Sequence, residues 1–175
     1  NYPARVSCHS YGQSPEGRQL WYLEIQDKKT RKNAAPKVWI QAGIHAGEID
    51  GKDATFLLLK DALGKKIIPD PFRGLHVIFV PIVNIDGHER FGKWNRPNQV
   101  GPEEMGWRTT AQNYNLNRDF VKVEASEIRD LNVLWNSYKP VISLDLHVTN
   151  GAKFRPEVGL IVTPNQSHGI TSLHM

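Results

Sequence analysis

Two β-prone stretches, residues 5–11 and 19–26, open the chain and are separated by Gly12-Gln13-Ser14-Pro15-Glu16-Gly17. That hexapeptide is turn chemistry, so the pair predicts a hairpin. A short apolar run, Lys37-Val38-Trp39-Ile40-Gln41-Ala42-Gly43, then ends at glycine, and residues 50–63 change to helical spacing through Ala54, Leu57, Leu58 and Ala62. The result is a strand, a loop and a helix. Residues 75–83 are almost all apolar and β-branched, which is the composition of a strand buried on both faces at the centre of a helix-covered sheet.

From 84 to 115 the pattern breaks into a segment rich in Gly, Pro, Asn, Trp and charge. Loops of that length inside a compact pattern are functional or disordered. Helical spacing resumes over 122–138, where Val123, Ile128, Leu131, Leu134 and Trp135 supply an apolar face and Pro140 ends it. Strands follow at 141–147 and 158–163. Strands alternating with helices predict one α/β domain over residues 1–175, built on a mixed, largely parallel central sheet flanked by helices.

Composition narrows the partners. The net charge is +4, but the basic residues are dispersed, and the single dense run, Lys28, Lys29, Arg31 and Lys32, reads as a solvated loop between strands. With no zinc-finger spacing, RNA-recognition signature or aromatic-basic interleaving, a nucleic-acid partner is not expected. No apolar stretch is long enough to span a bilayer. The first residue is Asn1 rather than methionine, which leaves the compartment open. A lone Cys8 excludes an intramolecular disulfide and a multi-cysteine metal site, so any metal is held by histidine and carboxylate.

Three such residues fall at predicted strand ends, where ligands of open α/β sheets collect. His45 and Glu48 follow the strand that closes at Gly43, and His147 ends the strand that begins at Val141. Two imidazoles and a carboxylate are a known ligand set for catalytic zinc, with a fourth position left for water or substrate. Each also has a plainer role, Glu48 as a charge at a helix start and His147 as a strand-end residue bonded to a neighbour. Asp145 shares a strand face with His147 and is either its hydrogen-bond partner or a polar residue at the strand end.

Order resolves more than any single motif. The chain reads His45-Ala-Gly-Glu48, Asn84-Ile85-Asp86-Gly87, Trp107-Arg108, Asn115-Leu116-Asn117-Arg118-Asp119 and Asp145-Leu146-His147. From about Val38 to His147, that series resembles the zinc carboxypeptidase family. The resemblance implies one Zn2+ ion held by His45, Glu48 and His147. It further implies that Arg108 polarises the scissile carbonyl, and that Asn117 and Arg118 grip a terminal carboxylate. A surface ion pair with Glu103, Glu104 or Asp119 is the plainer expectation for either arginine. Asn84-Ile85-Asp86-Gly87 is read as a turn that stops the central strand.

The expected activity is release of a C-terminal amino acid from a peptide. The substrate is a peptide or N-acyl amino acid with a free carboxylate. An aspartoacylase-like or desuccinylase-like amidohydrolase and a noncatalytic carboxylate-binding module with a retained zinc site are the alternatives. Two departures from the family bear on this. Its general-base glutamate lies well beyond the third ligand, and Glu157, the single acidic residue after His147, matches no such motif. The expectation is therefore the N-terminal part of a longer catalytic domain, with an exposed sheet edge open to self-association. Gly47 and Asn115 replace the arginine and aspartate of the pancreatic-type enzymes, which removes inference about side-chain specificity.

Overall fold

In the computed structural model, which describes residues 5–27, 35–149, 151–153, 155 and 157–161, the predicted hairpin forms as drawn from the turn chemistry. Strands β1 (Val6–Gln13) and β2 (Gln19–Gln26) pair antiparallel, with Val6 opposite Ile25 and Gln13 opposite Gln19. The basic run at 28–32 lies outside the described residues. Strands β3 (Lys37–Ala42), β4 (His76–Val80) and β7 (Ile142–Leu146) are mutually parallel, and β4 is antiparallel to β2. The five-stranded order is β1-β2-β4-β3-β7, so β4 is central and β7 forms an edge. Of the last predicted strand, 158–161 is exposed and outside any strand, and 162–163 lies outside the described residues.

Every residue of β4 is buried, as its composition requires. Val77 and Phe79 enter a core layer with Ile25, Ala42, Leu59, Ala62 and Phe72. Their neighbours Ile78 and Val80 point the other way, into a layer with Trp39, Ile44, Leu116, Ile128 and Leu131. The pleat of one strand thus feeds two cores. Helix α1 (Asp50–Leu59) covers the first layer and runs on as a π-helical turn, Lys60–Lys65; α3 (Ser126–Tyr138) covers the second.

Both helices depart in detail from their sequence patterns. On α1 the buried stripe is Thr55, Leu59 and Ala62, whereas Leu57 is exposed. A threonine is tolerated there because its hydroxyl donates back to the Gly51 carbonyl at 2.8 Å, within its own helix. Helix α3 begins at Ser126 rather than 122. The buried Asp119 carboxylate accepts the backbone N–H groups of Glu124 at 3.1 Å and Ala125 at 2.8 Å, holding the chain in a turn before the helix starts. The long segment after β4 also holds small elements: α2 (Ile85–Glu89), a β5–β6 hairpin (Gly92–Lys93 with Glu104–Met105) and a 3-10 turn, Leu116–Arg118.

One buried carboxyl group on α3 makes no ion pair among the described residues. Glu127 is fully buried, receives the Ser126 hydroxyl at Oε2, and its Oε1 has no partner among the described residues. Burial, reinforced by Asp86 and Asp130, raises its pKa above the ordinary 4.5. The folded protein therefore holds this proton more tightly than the unfolded chain. The resulting stabilisation is complete below pH 4.5 and is lost as pH rises through the folded value. Replacing Glu127 with Gln should flatten that loss, so the urea midpoint of the variant should gain on the wild type as pH rises. Parallel pH profiles would contradict the assignment.

Candidate metal centre

Register in the sheet assembles the centre. Ala42 of β3 pairs with Leu146 of β7, so the residues just past each strand, His45 and His147, leave the sheet side by side with ring centroids 5.3 Å apart. A tight turn, closed by the Glu48 N–H on the His45 carbonyl at 3.1 Å, brings Glu48 back beneath them. One ligand atom from each of His45, Glu48 and His147 lies within 4.8 Å of the others, a spacing that one metal ion can bridge. His45 and Glu48 are buried and His147 is exposed.

Two of the three donors, His45 and Glu48, are in a state suited to a cation, and His147 would have to release a proton to serve as the third. Burial, aided by the nearby Arg108, lowers the His45 pKa to about 4, so its imidazole is neutral, and its Nδ1 is buried with no hydrogen-bond partner among the described residues. Burial pushes the Glu48 carboxyl up, but hydrogen bonds from His147 and Arg96 outweigh it and hold the group at about 2. His147 is raised to about 9 by hydrogen bonds to Asp145 and Glu48. Its Nδ1 lies 3.0 Å from Glu48 Oε2 and its Nε2 lies 3.0 Å from Asp145 Oδ2. A carboxylate behind the imidazole is the arrangement that fixes the ring of a metal-bound histidine. Between the two readings of Asp145, the hydrogen-bonded one holds.

A second group of side chains faces the first. Arg108 donates to His45 Nε2 at 3.1 Å and to Glu48 Oε1 at 3.3 Å, and the Asn117 amide reaches His45 Nε2 at 3.5 Å. The surface pair expected for Arg108 does not form; Glu103 binds Lys93 instead. Arg118 is exposed, donates to the Asn117 carbonyl at 2.8 Å and makes no ion pair among the described residues, since Asp119 is taken up by backbone N–H groups.

The Asn84-Ile85-Asp86-Gly87 turn does more than end a strand. It forms α2 with Asn84 as its cap, accepting from the Gly87 N–H at 2.9 Å and donating to the Arg108 carbonyl at 3.2 Å. The Trp107 N–H donates to the Gly87 carbonyl at 2.7 Å, and a Cβ on Gly87 would stand 2.5 Å from the Trp107 oxygen. Only glycine permits that approach. Asp86 is buried and receives Ser14 Oγ at 2.7 Å and Arg18 Nη1 at 2.7 Å, tying the β1–β2 turn to the base of the same element.

The zinc carboxypeptidase family model matches residues 1–149. The chain belongs to the zinc carboxypeptidase family. It is 28% identical over 154 residues to carboxypeptidase 2 of Trichophyton tonsurans, which covers 85% of this chain and 26% of that protein. Against carboxypeptidase D of Drosophila melanogaster it is 30% identical over 125 residues, covering 69% of this chain and 8% of the relative. The chain thus spans about a quarter of the length of the fungal relatives it matches. A solved metallo-carboxypeptidase from Burkholderia cenocepacia shares the fold with a TM-score of 0.67 and 24% identity, over 86% of this chain and 38% of that one. Carboxypeptidase A of Helicoverpa armigera overlays with a TM-score of 0.58 at 17% identity, over 85% and 42% of the two chains.

Within this zinc carboxypeptidase fold, two participants escaped the sequence reading. Asn84 was legible only as a turn residue. Arg96, buried and bonded to Glu48 at 2.8 Å, carried no signal, being one basic residue in an irregular segment. For Asp145 the expected outcome is direct. Asp145→Ala should weaken zinc affinity about 10-fold, measured against a competing chelator, because the His147 ring loses the partner that orients it. An unchanged affinity would reduce Asp145 to a strand-end polar residue.

Proposed function

We propose that the protein is a zinc-dependent exopeptidase acting on peptides with a free C-terminal carboxylate, with one Zn2+ held by His45, Glu48 and His147. The observation that carries this reading is that Arg108 reaches both His45 and Glu48 and Asn117 reaches His45, two members of the three-residue group. Cationic and neutral donors at one face of a metal centre suit a substrate that carries a carbonyl to be polarised and a carboxylate to be held.

Bound zinc supplies a Lewis acid that polarises a carbonyl and acidifies water. Arg108 keeps a permanent cation where charge develops on the carbonyl oxygen, and one such preorganised contact is worth about 3 kcal/mol. Its backbone carbonyl is held by Asn84, and the N–H of the preceding Trp107 by Gly87. Arg118 offers a planar fork of donors matched to a carboxylate, and Asn117 adds a neutral donor beside it. The domain is the N-terminal part of the catalytic unit in this reading, and the exposed Glu157 is not assigned the general-base role.

The test compares blocked dipeptides bearing free or amidated C-termini, assayed with the full-length protein before and after chelation. Cleavage should require the metal and favour the free acid. Arg118→Ala should lower kcat/KM on the free acid roughly 10- to 100-fold, the loss of a charge-assisted clamp worth about 1.5–3 kcal/mol, with zinc content unchanged. His147→Ala should abolish tight zinc binding. Equal turnover of acid and amide would rule out the carboxylate clamp, and preference for N-acyl amino acids over peptides would move the protein to the amidohydrolase class.

A further inference from the structure

Arg96 occupies an unusual position for a basic residue from an irregular segment: it is buried beside Glu48, and the side chains of both are almost wholly removed from solvent. Among the described residues its guanidinium bonds to Ala46 and to Glu48. Nη1 donates to the Ala46 carbonyl at 2.9 Å, and Nη2 donates to Glu48 Oε1 at 2.8 Å. The planar fork therefore spans the backbone of the His45–Glu48 turn and the carboxylate at its end, fixing one relative to the other. The remaining oxygen, Oε2, is the one that meets His147 and the Val148 N–H.

Gly47 makes this grip possible. Its φ of +91° suits glycine, and a Cβ there would stand 3.0 Å from Arg96 Cγ, 3.2 Å from Met105 Sδ and 3.3 Å from the Gly106 carbonyl. The missing side chain is the space through which the arginine stem passes on its way to Glu48. Removing both charges from water has a desolvation cost that an apolar pair would avoid, so burial of this pair calls for a purpose other than general stability.

We infer that Arg96 is a positioning residue of the metal centre, clamping Glu48 and the Ala46 carbonyl so that the carboxylate is presented to the ion in one orientation. The inference rests on the zinc site proposed above. Its sign is the useful part. If Arg96 acted only as a charge, its removal would lessen repulsion of a dication and tighten binding. As a clamp, its removal frees Glu48 to rotate and weakens binding.

Zinc affinity of the full-length protein, titrated against a chromophoric chelator, separates these. Arg96→Met is expected to bind zinc about 10–100-fold more weakly, and Arg96→Lys, which keeps the charge but not the fork, should also bind more weakly. Unchanged or tighter binding by Arg96→Met overturns the clamp. Wild-type protein that takes up no zinc overturns the metal site and the clamp together, whereas normal wild-type uptake with an indifferent Arg96→Met overturns the clamp alone. A crystal structure of zinc-loaded wild type needs no variant to fold: Arg96 still bonded to Glu48 supports the clamp, and Arg96 detached from it refutes it.

Discussion

The candidate centre is organised around one buried carboxylate. Glu48 Oε1 receives Arg96 and Arg108, and Oε2 meets His147 and the backbone N–H of Val148. A lone ionised carboxylate at this depth would be costly, and it stays ionised because these donors surround it. Contacts to Glu48 come from the long segment that carries Arg96 and Arg108 and from the end of β7. Remove that charge and neither the arginines nor His147 keep a common point of attachment.

What brings those groups to Glu48 is the parallel register of β3 and β7. With Ala42 opposite Leu146, Asp145 and His147 share a face of the strand, and the ring of His147 lies between Asp145 and Glu48. A slip by one residue would turn both side chains to the other face of the sheet. That register is held by a core in which β4 is buried along its whole length, so the packing of Val77, Ile78, Phe79 and Val80 stands one step behind the geometry of the ligands.

Features encoded by local pattern were legible in the sequence, and features encoded by distant pairing were not. The buried run of β4 announced a central strand, and the family resemblance in the order from His45 to His147 picked out three side chains that the fold brings together. The start of α3 was misplaced because the carboxylate that ends the preceding turn belongs to Asp119, several residues upstream of the helix. The stripe of α1 was displaced because Thr55 satisfies its own hydroxyl, which a binary pattern counts as polar. Arg96 was invisible for a related reason: its partner lies 48 residues away, across a segment with no periodicity to mark it.

The two imidazoles show how far the protein alone prepares for an ion. His45 is held neutral by burial and by Arg108, while His147 is held protonated by Asp145 and Glu48, so neighbouring rings are driven to opposite states. The His147 proton lies between its ring and Glu48, two members of the three-ligand group. Such a proton is a positive charge at the place where the ligand atoms converge. A divalent cation held by His45, Glu48 and His147 would displace that proton, while Asp145 would keep its contact with the ring and Arg96 its contact with Glu48 Oε1. The arginine and the aspartate thus serve the same end from two sides, Arg96 by holding one oxygen of Glu48 and Asp145 by holding one nitrogen of His147.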